Sequence, residues 1–206
     1  MEKNTIKWAM YLNYFVFAIL LNSVGIVILK AQRNYGVDEL EASILEAFKD
    51  LPIAIVSFLV ASFLPRIGYK RAMLIGLGLV YMACITMYFG NSFATAKLLF
   101  ATVGVSFALI KVSVYSLIGT VTENQQEHNS LMSSIEGVFM IGIALAYFLF
   151  PAFNSETNPD AWLNVYWLLA GISGVSFAFL FLAKSENQVE VPGVDLLDDF
   201  RQMFQL

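Results

Sequence analysis

An all-α membrane protein, with six transmembrane helices forming two inverted three-helix repeats, is the fold class that three observations predict. The first is composition. Of 206 residues, 58% are hydrophobic and 14% charged, with a mean hydropathy of +0.69, far from the balance of a soluble domain. The second is run length: a helix needs about 20 mostly apolar residues to cross a hydrocarbon core of roughly 30 Å, and six segments reach it. The third is an offset of 86 residues that carries Asp50 onto Glu136 and Pro65 onto Pro151, so that an acid early in a span and a proline at its end recur. The two spans so matched run in opposite directions, which makes the repeating unit three helices in inverted topology.

The spans fall at 8–29, 41–64, 72–90, 98–120, 130–150 and 161–183. The first follows only Glu2, Lys3 and Lys7 and shows no small-residue cleavage pattern, so it is read as a retained helix and not a removable signal. The second carries Glu46, Lys49 and Asp50 and has Pro65 at its end. In the third, Leu77-Gly78-Leu79-Val80-Tyr81-Met82-Ala83 is apolar on every face. A membrane barrel strand would alternate apolar and polar residues over about ten positions, so a barrel is rejected. The fourth holds Lys111 and the fifth Glu136, while the sixth has no charge. Trp8, Trp162 and Trp167, with Tyr11, Tyr35 and Tyr166, lie mostly near span ends and read as headgroup anchors. Glycines within the spans read as sites of close helix contact. Residues 1–184 form the bundle and 185–206 an acidic cytoplasmic tail, in which Leu196, Leu197, Phe200, Met203 and Phe204 take the spacing of a short amphipathic helix.

Orientation follows from Lys and Arg. With the amino terminus inside, Lys3, Lys7, Arg66, Lys70, Arg71, Lys184 and Arg201 are cytoplasmic and only Lys30, Arg33 and Lys97 are outside. The expectation is a multi-pass protein of the plasma (cell inner) membrane with both termini in the cytoplasm. The acidic loop Glu123–His128 runs against the bias, although acids weigh little in that rule. No basic arm suggests nucleic acid. Cys84 is the sole cysteine and lies within a span, so it reads as packing, with no disulfide, metal site or cofactor. The only histidine, His128, is in a loop and no Gly-x-Ser-x-Gly is present, so an intramembrane enzyme is not expected.

Between the second and third spans runs Ala61-Ser62-Phe63-Leu64-Pro65-Arg66-Ile67-Gly68-Tyr69-Lys70-Arg71. It resembles the cytoplasmic loop signature of the major facilitator superfamily, Gly-x-x-x-Asp-Arg/Lys-x-Gly-Arg/Lys-Arg/Lys. Arg66, Gly68 and Lys70 fit it and Arg71 follows; Ala61, Pro65 and Tyr69 depart from it, and Pro65 replaces the acid used in such families to hold the outward-open state. The resemblance covers the six spans and implies the amino-terminal half of a twelve-helix transporter, the carboxy-terminal half lying outside this chain. The general cast is similar to the fucose and hexose permease branch, whose Glu-Thr-x-x-Asn-Pro motif is replaced here by Lys111-Val112-Ser113-Val114-Tyr115. No sugar specificity follows.

Charge inside a bilayer is expensive and marks a solute or proton path. At 1.5 Å per residue, Lys111 is about 13 Å and Glu136 about 10 Å from the cytoplasmic ends of their spans, so the two can pair. Lys49 and Asp50 are about 13 Å from the outer end, so all four can look into one central cavity. Glu136 and Asp50 are candidate proton-coupling acids, and Lys111 and Lys49 candidate holders of an anionic group; Asn22, Ser113 and Tyr115 are candidate hydrogen-bonding residues of the cavity. The function expected is secondary active transport, such as symport, of a small solute (a sugar, sugar acid or small carboxylate) by alternating access, with or without proton coupling. The alternative is a six-helix subunit or scaffold that assembles with another chain. The partners expected are lipid, the solute and a carboxy-terminal transporter half outside this chain.

Overall fold

The computed structural model describes residues 2–183, with the backbone alone at 2, 61–63, 65 and 66; the expected amphipathic tail lies outside the described residues. All regular structure among them is helical: α1 (Glu2–Asn22), α2 (Val24–Tyr35), α3 (Glu39–Ile67), α4 (Tyr69–Gly90), α5 (Phe93–Val121), α6 (Gln125–Ala152), a 3₁₀ turn (Ala161–Leu163) and α7 (Asn164–Leu182). By length and composition, α4, α5, α6 and residues 161–182 each suffice to cross a membrane, and α1–α2, counted as one bent span, is a fifth. The first expected span is therefore not one straight helix. A bend of 44° separates its two parts. Its cause is local: the Ser23 hydroxyl donates to the Leu20 carbonyl (2.8 Å), and the Asn22 amide side chain donates to the Ala18 carbonyl (2.8 Å). Side chains that bond back to the helix in this way tilt its carbonyls and bend it.

Each short connection is built by cap residues. Gly36 (φ +68°) closes α2, and Asp38 accepts the Glu41 N–H at 2.7 Å to start α3. Asn91, also left-handed, closes α4, and Ser92 and Thr95 then form a capping box that opens α5. Asn124 accepts the Glu127 N–H (2.8 Å) at the head of α6. Connections this short force successive helices to run antiparallel.

The inverted repeat is visible in helix boundaries and in packing. A shift of 86 residues lays α3 onto α6 end to end and brings the end of α2, Tyr35, onto the end of α5, Val121. Exchanging α1–α2 with α5, α3 with α6 and α4 with α7 preserves the principal packed pairs. Thus α1 on α6 answers α3 on α5, α1 on α7 answers α4 on α5, and α4 meets α7 across the pseudo-axis. Three helices per unit is an odd number, so the second unit begins on the opposite face from the first.

Glycine permits two of these interfaces. A Cβ at Gly104 of α5 would collide with the Lys49 carbonyl oxygen of α3, and one at Gly142 of α6 would lie 2.6 Å from Ala18 Cβ of α1. Gly25, Gly78, Gly137 and Gly171 face open space instead, so close contact accounts for only some of the span glycines. The aromatic reading also needs correction. Trp162 and Tyr166 are fully buried, stacked edge to face with each other and, through Tyr166, with Phe150; they plug one end of the bundle and do not anchor it in headgroups. Trp8 and Trp167 remain exposed. Cys84 is free and buried among apolar side chains.

Candidate functional site: a lysine between two rings and a tyrosine-bound glutamate

Lys111 is exposed although its face of α5 is otherwise closed. Gly104 and Ile118, seven residues to either side, lie within about 20° of it around the helix and are both buried. Lys111 therefore opens a local recess in an otherwise largely buried stripe of α5. Phe107 and Tyr115, four residues before and after it, project from the same side. The ammonium sits over both rings, 5.8 Å from the Phe107 centroid and 6.0 Å from that of Tyr115. Each such contact stabilises the cation by about 0.5–2 kcal/mol, more where water is excluded.

The Tyr115 hydroxyl donates to Glu136 Oε1 of α6 at 2.6 Å. Behind these residues lies an aromatic floor: Tyr14 of α1 meets Tyr115 and Phe139 edge to face, and Phe139 stacks on Phe107 at 6.1 Å. Three helices thus converge on one recess.

The expected Lys111–Glu136 contact is absent; among the described residues neither takes part in an ion pair. Tyr115 stands between them, supplying a ring face to the cation and a hydroxyl to the acid. Lys49 and Asp50 pair with each other at 3.4 Å, with Asp50 65% exposed. They lie level with Gly104, about 10 Å along α5 from Lys111, so the four charges occupy two levels and not one cluster. Ser113 is buried and its hydroxyl is taken by the Leu109 carbonyl at 2.7 Å; Asn22 is half-buried and occupied with the Ala18 carbonyl. Both side chains donate back to their own helix, and neither bonds to Lys111, Tyr115 or Glu136.

In the loop motif, Gly68 has φ +89° and its N–H closes α3 on the Leu64 carbonyl at 2.9 Å, a conformation open to glycine. Lys70 donates to the carbonyls of Phe181 (3.3 Å) and Ala183, so a cation from the head of α4 satisfies the end of α7. Arg71 is exposed, and the Arg66 side chain lies outside the described residues.

One polar feature went unread in the sequence. Lys3 and Lys7 of α1 pair with Glu123 (3.1 Å) and Glu127 (2.9 Å) at the head of α6, and Tyr11 hydrogen-bonds Ser134 one turn deeper. The spacing of four residues in both Lys3/Lys7 and Glu123/Glu127 was a usable signal, but the partners are 120 residues apart. This ladder also explains the acidic loop: its charge lies against the basic amino-terminal segment. Phe107 was similarly legible from its spacing to Lys111, whereas Tyr14 and Phe139 were not.

Among curated proteins, no relative matches the chain. A family model, that of the Major Facilitator Superfamily, matches residues 10–202. Combined with the inverted three-helix repeats and the polar recess at mid-helix, this match shows that the chain belongs to the major facilitator superfamily, a family of membrane transporters.

Proposed function

We propose that the protein carries out secondary active transport of a small solute by alternating access, that the recess around Lys111 forms part of the solute path, and that Glu136 couples it to protons. The observation that supports this reading is an exposed lysine well inside a helix long and apolar enough to cross a membrane, with buried Gly104 and Ile118 seven residues to either side on its own face. An ionic group at that depth is costly unless it faces water, a partner or a ligand. The Glu136 carboxyl accepts from one neutral donor, the Tyr115 hydroxyl, and among the described residues no cation pairs with it.

In this reading, a second six-helix bundle, from another part of the gene product or another chain, covers the open side of the recess, and the two rock about it. The Lys70 contact keeps α4 and α7 together, so that the six helices described here move as one body. The protein lies in the plasma membrane, with both termini in the cytoplasm.

The test is accumulation of labelled solutes by cells expressing the gene from its start codon to its stop codon. Saturable accumulation that collapses with an uncoupler is expected. In Glu136→Gln, solute-for-solute exchange should persist while gradient-driven accumulation is lost. Accumulation by this variant at wild-type level would remove Glu136 from coupling. Robust uptake by purified residues 1–206 alone would point to a self-assembling six-helix unit instead.

A further inference from the structure

We infer that the solute is a small hydroxylated carboxylate, its acid group held by Lys111 and its hydroxyl groups by Glu136; this rests on the transport reading above. Lys3, Lys7 and Lys49 each have an acid within 3.4 Å, whereas among the described residues Lys111 meets two ring faces and no acid. Rings hold a cation in place without neutralising it, and an uncompensated cation in low dielectric calls for an anion. A single cation of this kind matches one negative charge.

Glu136 supplies the second half of the recognition. Its Oε1 accepts from Tyr115, while its Oε2 takes no hydrogen bond among the described residues. A carboxylate has about four acceptor sites, and those left open suit hydroxyl donors. Tyr115 separates the acid from the lysine, so the two side chains do not quench one another and each remains available to a different end of one solute. An unsubstituted fatty acid would satisfy Lys111 and strand Glu136. A neutral sugar would satisfy Glu136 and leave Lys111 without its counter-charge.

Labelled glucuronate and labelled glucose, offered to cells expressing the whole gene, test this directly, with unlabelled gluconate and hexanesulfonate as competitors. Glucuronate should enter saturably, gluconate should compete, and neither glucose nor hexanesulfonate should do so at the same concentration. Per amount of protein in the membrane, Lys111→Met should lower glucuronate uptake at least tenfold, while Lys111→Arg, which keeps the charge, should stay within a few-fold of wild type. Should Lys111→Met fail to reach the membrane, Lys111→Gln replaces it in the same comparison. Saturable glucose entry without glucuronate entry would overturn the inference and leave the transport reading standing. Wild-type glucuronate uptake by a charge-free variant at position 111 would also overturn it. Entry of neither solute would count against both readings.

Discussion

Lys111 shows how one side chain can be tolerated at mid-membrane without an acid beside it. Its head rests on Phe107 and Tyr115, and the side chain is otherwise exposed. Removing it therefore strands nothing. Lys111→Met should leave the bundle folded, with a melting temperature in detergent within a few degrees of wild type, while uptake is lost. The double variant Lys111→Met with Glu136→Gln should be equally stable and equally inactive. If the second change restored transport, or if the first alone destabilised the protein by the several kcal/mol expected for a broken buried pair, the two residues would be a structural ion pair after all.

Helix contacts in this protein depend on where side chains are missing. In lipid there is little hydrophobic drive between helices, so close backbone approach and shape decide their association. Gly104 is the tightest such point against backbone: α5 meets the Lys49 carbonyl of α3, which cannot swing aside. Gly104→Leu should separate α3 from α5 and abolish the monodisperse folded species on size exclusion. Gly78→Leu on α4, where nothing lies within 4 Å, should be well tolerated. Equal behaviour of the two variants would show that α3 and α5 are not held by this contact. The bend between α1 and α2 and the closure of α3 at Gly68 are likewise properties of single residues acting on whole helices. Ser23 could be suspected from its chemistry; that its hydroxyl bonds back to Leu20 could not.

At the scale of the molecule, the inverted repeat gives the bundle two related faces, and the basic residues give it a direction. The Lys3–Glu123 and Lys7–Glu127 ladder, the Gly68 turn and the Lys70 contacts all lie at the end where the amino terminus begins. Exposed pairs of this kind each contribute at most about 1 kcal/mol, so their consequence is more one of topology than of stability. We place this end in the cytoplasm. In a Cys84→Ala background, a single cysteine at Asn158 should react with a membrane-impermeant thiol reagent added outside, and one at Tyr69 should be protected. The reverse labelling pattern would invert the protein.

Sequence alone determined the membrane class, the helices and the repeat, because each depends on local quantities. In lipid every backbone polar group must be satisfied within the segment, so a long apolar run has little choice but to be a helix. Two runs of similar length with an acid and a proline at the same offset show their kinship without any contact being known. Where a charge falls along its helix was legible to the same extent, since that position follows from counting residues. Partnership was not. Which ring, acid or carbonyl each group meets depends on how helices rotate and cross, and that is decided by contacts between residues far apart in the chain. Tertiary structure alone placed Tyr115 between Lys111 and Glu136, turned Ser113 onto its own helix, set Lys49 and Asp50 on a separate level, and brought Lys3 and Lys7 to acids 120 residues away.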